Sequence, residues 1–179
     1  ISVTIFIIGF AVIINLFDIF PGPKFSGDRS EGWREYKNEV LNYGFNYPSE
    51  FELNKNDTSN LTPNDSNVQI VEVLTLERRE PGQEVLFIRV FNNPGFQNLR
   101  DLIEWSAVSS NFSDDLSIEF ITINNIPAAI FADSNHQKIG VYVIAGDRIY
   151  SILRYHFDPN YDTTRRVFKQ IYGTLKIAN

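Results

Sequence analysis

Few side chains in this 179-residue chain could carry out acid-base or metal chemistry. There is no cysteine, which excludes thiolate nucleophiles, disulfides and thiolate metal sites. Of the two histidines, His136 lies in a predicted turn, where solvent exposure is the simplest interpretation. His156 ends a predicted strand beside Asp158, an arrangement that could orient an imidazole as a base or a ligand. The same residues equally describe a strand that meets a helix cap, and we favour that interpretation.

Two pairs of carboxylates could bind a cation such as Ca²⁺, which prefers oxygen-rich loops. Asp57 and Asp65 fall in an Asn-rich segment, and Asp114 and Asp115 follow the first predicted helix. Neither pair has the spacing and the distal Glu of a calcium-binding loop, so solvated loops are the preferred interpretation. The usual motifs of serine hydrolases, zinc proteases and nucleotide-binding enzymes are also missing from the sequence. We therefore predict no catalytic residue, no metal site and no cofactor, and a function other than that of an enzyme.

The composition limits the size of the domain and the class of partner. Hydrophobic residues make up 43% of the chain and aromatic residues 14%, which is enough for one domain with a substantial core. The chain has 16 Lys and Arg against 22 Asp and Glu, and its net charge of -6 argues against nucleic acid as a partner.

The first 17 residues contain no charge, and as a helix they would extend about 25 Å, the short end of what crosses a bilayer. Asp18 ends this run, and Pro21 cannot continue a helix. A cleaved signal peptide is less favoured because bulky residues end the run, and a buried strand is less favoured because the run is long. The predicted organisation is a transmembrane helix over 1–20, a linker over 21–32 and a globular domain over 33–179.

Four N-x-S/T sequons begin at Asn56, Asn60, Asn64 and Asn111. Such sites are used only in a glycosylating, extracytoplasmic compartment. The first three fall in the polar segment 54–67, which is predicted as a surface loop. Chance occurrence in an Asn-rich chain is the alternative, but the clustering favours an extracytoplasmic domain that is a glycoprotein where the organism attaches glycans.

In the globular part, predicted strands outnumber predicted helices. Amphipathic spacing predicts one helix over 98–109 with Asn98 as its N-cap, and another that Asp158 opens and Gly173 caps. Short turns between the later strands predict an antiparallel meander, so the class is α+β with an antiparallel sheet. The predicted strands are 44–47, 51–53, 68–78, 84–91, 117–123, 128–133, 139–145, 148–157 and 174–177.

Residues 43–48 with Phe51 resemble the opening YGFxxxYP motif of PsbP-like domains, a family named after an extrinsic subunit of photosystem II. One spacer residue is missing, and Phe51 stands where the family usually has Trp. The resemblance covers about residues 36–178 and implies an α-β-α sandwich around an antiparallel sheet. It implies no catalytic residues, because members are mostly accessory, assembly or unassigned extracytoplasmic proteins. Further similarities are Leu102 and Trp105 in the central helix, the turn and strand at 125–129, the hairpin through Tyr142 and Tyr150, and Phe168 in the last helix.

Five residues are candidates for contact with a partner protein. Arg78 and Arg79 lie at a predicted hairpin tip, and Tyr142, Tyr150 and Tyr155 lie on the meander. The alternatives are that the two arginines keep an edge soluble and that the tyrosines fill the core.

From these observations we expect a non-catalytic accessory or structural subunit, anchored by its first helix, with a PsbP-like domain on the extracytoplasmic side of a membrane protein complex. The expected partners are the lipid bilayer and other membrane-protein subunits or copies of the chain itself. Two alternatives stay open. One is a pilin-like filament subunit with a hydrophobic stem, and the other is a small-ligand-binding domain, which would need a concave pocket with converging polar groups.

Overall fold

The computed structural model of the chain describes residues 32–58, 67–78, 85–109, 116–133, 138–155 and 161–178. These residues belong to one compact unit, Gly32–Asn179. The transmembrane helix predicted over 1–20 and nearly all of the predicted linker lie outside the described residues. Within the described ranges, no helix is long and apolar enough to cross a membrane.

The described part of the chain contains ten strands and two helices. The elements are β1 (Trp33–Asn38), β2 (Tyr43–Pro48), β3 (Phe51–Asn56), β4 (Ile70–Arg78), β5 (Val85–Asn92), α1 (Leu99–Ser109), β6 (Leu116–Ile123), β7 (Ile126–Asp133), β8 (Lys138–Ala145), β9 (Arg148–Tyr155), α2 (Tyr161–Gly173) and β10 (Lys176–Ile177).

The predicted meander is confirmed: β6, β7, β8 and β9 pair in sequence, each antiparallel to the next. Asn124 and Asn125 form the two-residue turn between β6 and β7 with φ of 48° and 67°, a left-handed conformation that Asn tolerates better than most residues. Gly146, with φ of 58°, supplies the same conformation between β8 and β9. The turn predicted around residue 135 lies outside the described residues.

The meander is one half of a seven-stranded antiparallel sheet with the order β3-β4-β5-β9-β8-β7-β6. The predicted hairpin of β4 and β5 is confirmed, and β5 pairs with β9 to join the two halves. A second sheet has three strands in the order β1-β2-β10. The turn after Pro48 therefore leads from one sheet to the other, and β2 and β3 do not pair.

Both faces of the seven-stranded sheet are covered, because its central strands place apolar residues on both sides. On one side, called the α1 face, Leu102 and Ile103 of α1 pack in a cluster with Phe131 and Leu153. On the other side, called the α2 face, α2 and the three-stranded sheet share a larger cluster that includes Ile152. The architecture is thus mostly antiparallel sheet with a short helix on each face, plus a small second sheet beside α2.

The start of α1 follows the prediction. The Asn98 Oδ1 accepts a hydrogen bond from the backbone N–H of Asp101 at 3.0 Å, and its Nδ2 donates to the Asp101 carboxylate at 2.8 Å. An N-cap of this kind is worth about 1 kcal/mol to the helix.

The end of α2 differs from the prediction. Gly173 is the last helical residue, but it does not have the positive φ of a glycine cap. Instead, the backbone N–H of Thr174 and its hydroxyl both donate to the Ile171 carbonyl, at 3.0 and 2.8 Å. A threonine hydroxyl thus satisfies a terminal carbonyl in place of a left-handed glycine.

Candidate functional site

Many of the predicted chemical residues lie outside the described residues, so their roles remain predictions. These are His136, His156, Asp65, Asp114, Asp115, Arg79, and the sequon residues Asn60, Asn64 and Asn111. Asp57 is exposed just beyond the end of β3. Within the described residues, no three His, Asp or Glu side chains cluster in a way that could hold a metal ion.

The loop predicted over 54–67 begins later than predicted. Strand β3 continues to Asn56, so the first three residues of that segment are sheet rather than loop. The Asn56 Nδ2, the atom that would carry a glycan, donates a hydrogen bond to the Thr75 hydroxyl on β4. Of the four sequons, this one begins inside a strand and not in a surface loop.

The tyrosine predictions also need correction. Tyr142 and Tyr150 are only 5% and 4% exposed, so they are not available to an external partner and belong to the core, the alternative named above. The Tyr142 hydroxyl lies 2.6 Å from the Ser106 hydroxyl and ties β8 to α1. The Tyr150 hydroxyl donates to the Leu41 carbonyl at 3.0 Å. Tyr155 ends β9, and its side chain lies outside the described part.

Arg78 is engaged within the domain. Its guanidinium stands 5.9 Å from the centre of the Phe51 ring, and its Nη2 lies 3.8 Å from the Glu50 carboxylate. The Phe at position 51 is fully buried, so this arginine covers the start of β3 at the sheet's end.

A buried carboxylate that the sequence did not single out joins the two sheets. Glu72 of β4 is 1% exposed, and its oxygens accept hydrogen bonds from Tyr36 Oη at 3.0 Å, Asn38 Nδ2 at 2.9 Å and the Tyr43 hydroxyl. The ammonium group of Lys55 lies 2.8 Å from the same carboxylate. Because its partners come from β1, β2 and β3, this Glu72 cluster connects the small sheet to the large one.

The electrostatics of the Glu72 cluster favour the charged carboxylate. Burial alone would raise the pKa of Glu72, but the hydrogen bonds from Lys55, Tyr43 and Tyr36 outweigh burial and hold the pKa below its ordinary value. The same hydrogen bond raises the pKa of Lys55. Burial, followed by the hydrogen bond to Glu72, raises the pKa of the Tyr43 phenol far above its usual range. The cluster therefore favours an ionised carboxylate that accepts hydrogen bonds from two neutral phenols and pairs with one ammonium group.

The Glu72 cluster also explains the motif in β2. Tyr43 binds Glu72, while Phe45 and Tyr47 are buried in the α2-face core. A side chain at Gly44 would place its Cβ 2.7 Å from the Tyr36 carbonyl oxygen, so the close approach of β1 requires glycine there. These motif residues build the fold, and none of them is exposed for binding.

The most exposed aromatic feature lies on the opposite side of the domain. Phe120 of β6 is 53% exposed, and the Arg100 guanidinium lies 5.6 Å from the centre of its ring. Together with Leu99, Pro127 and Ile144 they line an open depression of about 630 Å³ beside the start of α1, which we call the Phe120 groove. Arginine over an aromatic ring next to aliphatic side chains is typical of protein contact surfaces.

The Phe120 groove is positioned by rigid elements. Phe120 and Pro127 lie on paired strands, β6 and β7, on either side of the tight Asn124-Asn125 turn. Arg100 lies in the first turn of α1, whose orientation the Asn98 cap and the buried Ser106–Tyr142 contact maintain. In the sequence, Phe120 was one residue of a predicted strand. Its exposure, which distinguishes it from the other described aromatic residues, became visible only in the structure.

The architecture is a PsbP-like fold, as one solved structure shows. The solution structure of cyanobacterial PsbP (CyanoP) from Synechocystis sp. PCC 6803 aligns with a TM-score of 0.57 and 13% sequence identity, covering 88% of this chain and all of that one. A crystal structure from Bacteroides thetaiotaomicron aligns with a TM-score of 0.42 and 9% identity over 82% of this chain and 48% of that one. No family model and no curated protein matches the sequence. At this identity the likeness to CyanoP shows the fold alone.

Proposed function

We propose that the chain is a non-catalytic accessory subunit, anchored in a membrane by its apolar N-terminal run, which presents its PsbP-like domain to another membrane-protein subunit on the extracytoplasmic side. The observation that carries this proposal is the Phe120 groove. Phe120 and Arg100 are exposed in a domain whose other described aromatic residues are buried or half-buried. A large exposed aromatic costs solubility unless a partner covers it.

The chemistry of the Phe120 groove favours a protein partner. Its walls combine an aromatic ring, a proline and aliphatic side chains with one cation, Arg100. The groove is wide and open to solvent, whereas sites for small molecules are enclosed on most sides. Aromatic and arginine side chains are also enriched in the buried centres of protein interfaces.

The membrane part of the proposal rests on the sequence. The uncharged run over residues 1–17 has the length and composition of a short membrane helix, and the clustered sequons favour an extracytoplasmic side. The anchor would raise the local concentration of the domain beside its partner, so a modest contact at the Phe120 groove would be sufficient for assembly.

The test uses the full chain, expressed with a tag in its own membranes and analysed by crosslinking and native gel electrophoresis. We expect it to migrate in a complex with other membrane proteins, and Phe120→Ser to release it. Val40→Ser is the matched control, because Val40 is 89% exposed in the turn between β1 and β2, away from α1.

Two results would overturn the proposal. One is a wild-type chain that migrates alone, without crosslinks to any subunit. The other is a complex that survives Phe120→Ser and is lost with Val40→Ser, which would place the contact on another surface.

A further inference from the structure

Strand β6 is an edge of the seven-stranded sheet, and within the described part of the chain β7 alone pairs with it. The two-residue turn at Asn124 and Asn125 makes the flanking pair, Ile123 and Ile126, exchange both backbone hydrogen bonds. Every second pair along the strand is bonded in the same way. The backbone N–H and C=O groups of the intervening residues therefore point away from β7; these residues are Leu116, Ile118, Phe120 and Thr122.

This edge lacks the features by which proteins usually prevent strand addition. Over its eight residues β6 contains no proline and no lysine, and its register with β7 shows no bulge. Its one charged residue is Glu119. The other edge of the sheet, β3, is shorter and carries both Glu52 and Lys55. The charged side chains of β3 thus hinder the addition of a strand at that edge. The regular, unpaired backbone of β6 allows a further strand to bind.

Phe120 belongs both to the unpaired edge of β6 and to the Phe120 groove. The backbone of Phe120 faces outward from the edge, while its side chain lies on the α1 face under Arg100. An added strand would therefore place alternate side chains beside Phe120 and Arg100, and the main chain would supply hydrogen bonds.

The charged side chains near β6 indicate what kind of strand would bind at this edge. Among the described residues, Asp101 and Glu104 of α1 are exposed beside Arg100 on the α1 face, and Glu119 of β6 is exposed at the same edge with its side chain on the α2 face. An acidic surface on a chain of net charge -6 favours a basic partner. It disfavours a second copy paired about Glu119, because that two-fold arrangement would bring the two Glu119 carboxylates together on one face.

We propose that β6 accepts an extended, basic segment of the partner subunit as an eighth strand of the sheet. This inference rests on the proposed function and specifies how the partner binds. The added strand hydrogen-bonds to the outward groups of residues 118, 120 and 122, places a Lys or Arg beside Glu119, and lays an apolar side chain against Phe120.

The first experiment removes one outward backbone N–H of β6 and leaves the backbone hydrogen bonds between β6 and β7 in place. In the native-membrane assay, Thr122→Pro is expected to lose the complex, whereas the matched variant Thr122→Val, which keeps the N–H, is expected to retain it. Thermal unfolding of both variants checks that the domain still folds. If Thr122→Pro does not fold, Ile118→Pro removes another outward N–H and takes its place.

The second experiment uses defined probes on the full chain in detergent micelles. Two synthetic eight-residue peptides alternate Val and Thr and carry at the centre either Lys or Glu. Amide hydrogen exchange followed by NMR is expected to slow at residues 118, 120 and 122 with the Lys peptide, and Glu119→Gln is expected to weaken this binding about two- to fivefold. Equal protection by both peptides, or protection by neither, would overturn the basic-strand proposal.

The outcomes separate this inference from the proposed function. If Phe120→Ser releases the complex but a folded Thr122→Pro variant keeps it, the subunit role stands and strand addition is wrong. If the wild-type chain migrates alone, the subunit role itself fails. If sedimentation shows a dimer of the chain that Thr122→Pro dissolves, the occupant is a second copy and not a basic partner.

Discussion

The two faces of the seven-stranded sheet are built for different tasks. On the α2 face, a second sheet and a helix cover the strands, and the Glu72 cluster connects the two sheets with four hydrogen-bonding partners. On the α1 face, one helix of 11 residues covers the strands, and Phe120 at the edge remains half exposed. The difference indicates that the α2 face contributes more to the stability of the domain, and that the edge of the α1 face around Phe120 is free to offer a binding surface.

The largest expected effect comes from removing the buried carboxylate. Glu72→Ala leaves two phenols, one amide and one ammonium group without their acceptor, and should lower the free energy of unfolding by about 3–5 kcal/mol. Chemical denaturation measures this loss. The control is Glu52→Ala on the exposed side of β3, which should change stability by less than about 0.5 kcal/mol. Equal losses in the two variants would contradict the assignment of stability to the Glu72 cluster.

A smaller effect is expected from acid. Because the folded-state pKa of Glu72 is held below its ordinary value, the stabilising contribution is present above the unfolded pKa of about 4.3 and is lost as the pH falls through the folded value. The wild-type domain should therefore lose stability below about pH 4.3. Unfolding curves at a series of pH values should show a shallower acid slope in Glu72→Gln. The loss is smaller than in Glu72→Ala, because a protonated carboxyl still accepts hydrogen bonds from the phenols.

The smallest effect is expected on the α1 face. Tyr142→Phe removes a single buried hydroxyl contact with Ser106 and should cost about 1 kcal/mol, as does the loss of one ordinary hydrogen bond. Calorimetric unfolding compares this variant with Ser106→Ala and with the double variant. A coupling energy near zero between the two sites would mean that the contact does not hold α1 on the sheet. Losses larger than those of Glu72→Ala would reverse the comparison between the faces.

Local signals were enough for much of the architecture. Asn124-Asn125 and Gly146 occupy turns because few other residues adopt a positive φ at low cost, and Asn98 caps α1 because its side chain reaches the Asp101 N–H. The short turns between the later strands predicted the meander, because turn residues are recognised from their immediate neighbours. Strand β1 was not predicted, because it is a polar edge strand whose few apolar residues, Trp33 and Tyr36, show no regular alternation.

The candidate sites were harder to predict, since exposure depends on packing between distant segments. Tyr142 and Tyr150 were candidates for partner contact, yet their strands lie near the middle of the sheet and both rings are buried. Phe120 is another aromatic residue of the same meander, but β6 lies at the edge of the sheet and the Phe120 ring is exposed. The pairing of β9 with β5, which leaves β6 at the edge and which the sequence pattern does not reveal, made this difference.

By itself, the sequence determined the class of fold, the positions of most strands, both helices and the resemblance to PsbP-like domains, because these depend on neighbours within a few residues. Only the tertiary structure decided that β2 and β3 belong to different sheets, that Glu72 is a buried link between those sheets, and that Phe120 and Arg100 form a groove at an open edge. Glu72 lies 36 positions from Tyr36, and Phe120 lies 20 positions from Arg100. Contacts at such separations are set by how whole strands and helices pack, and no local pattern of residue types specifies them.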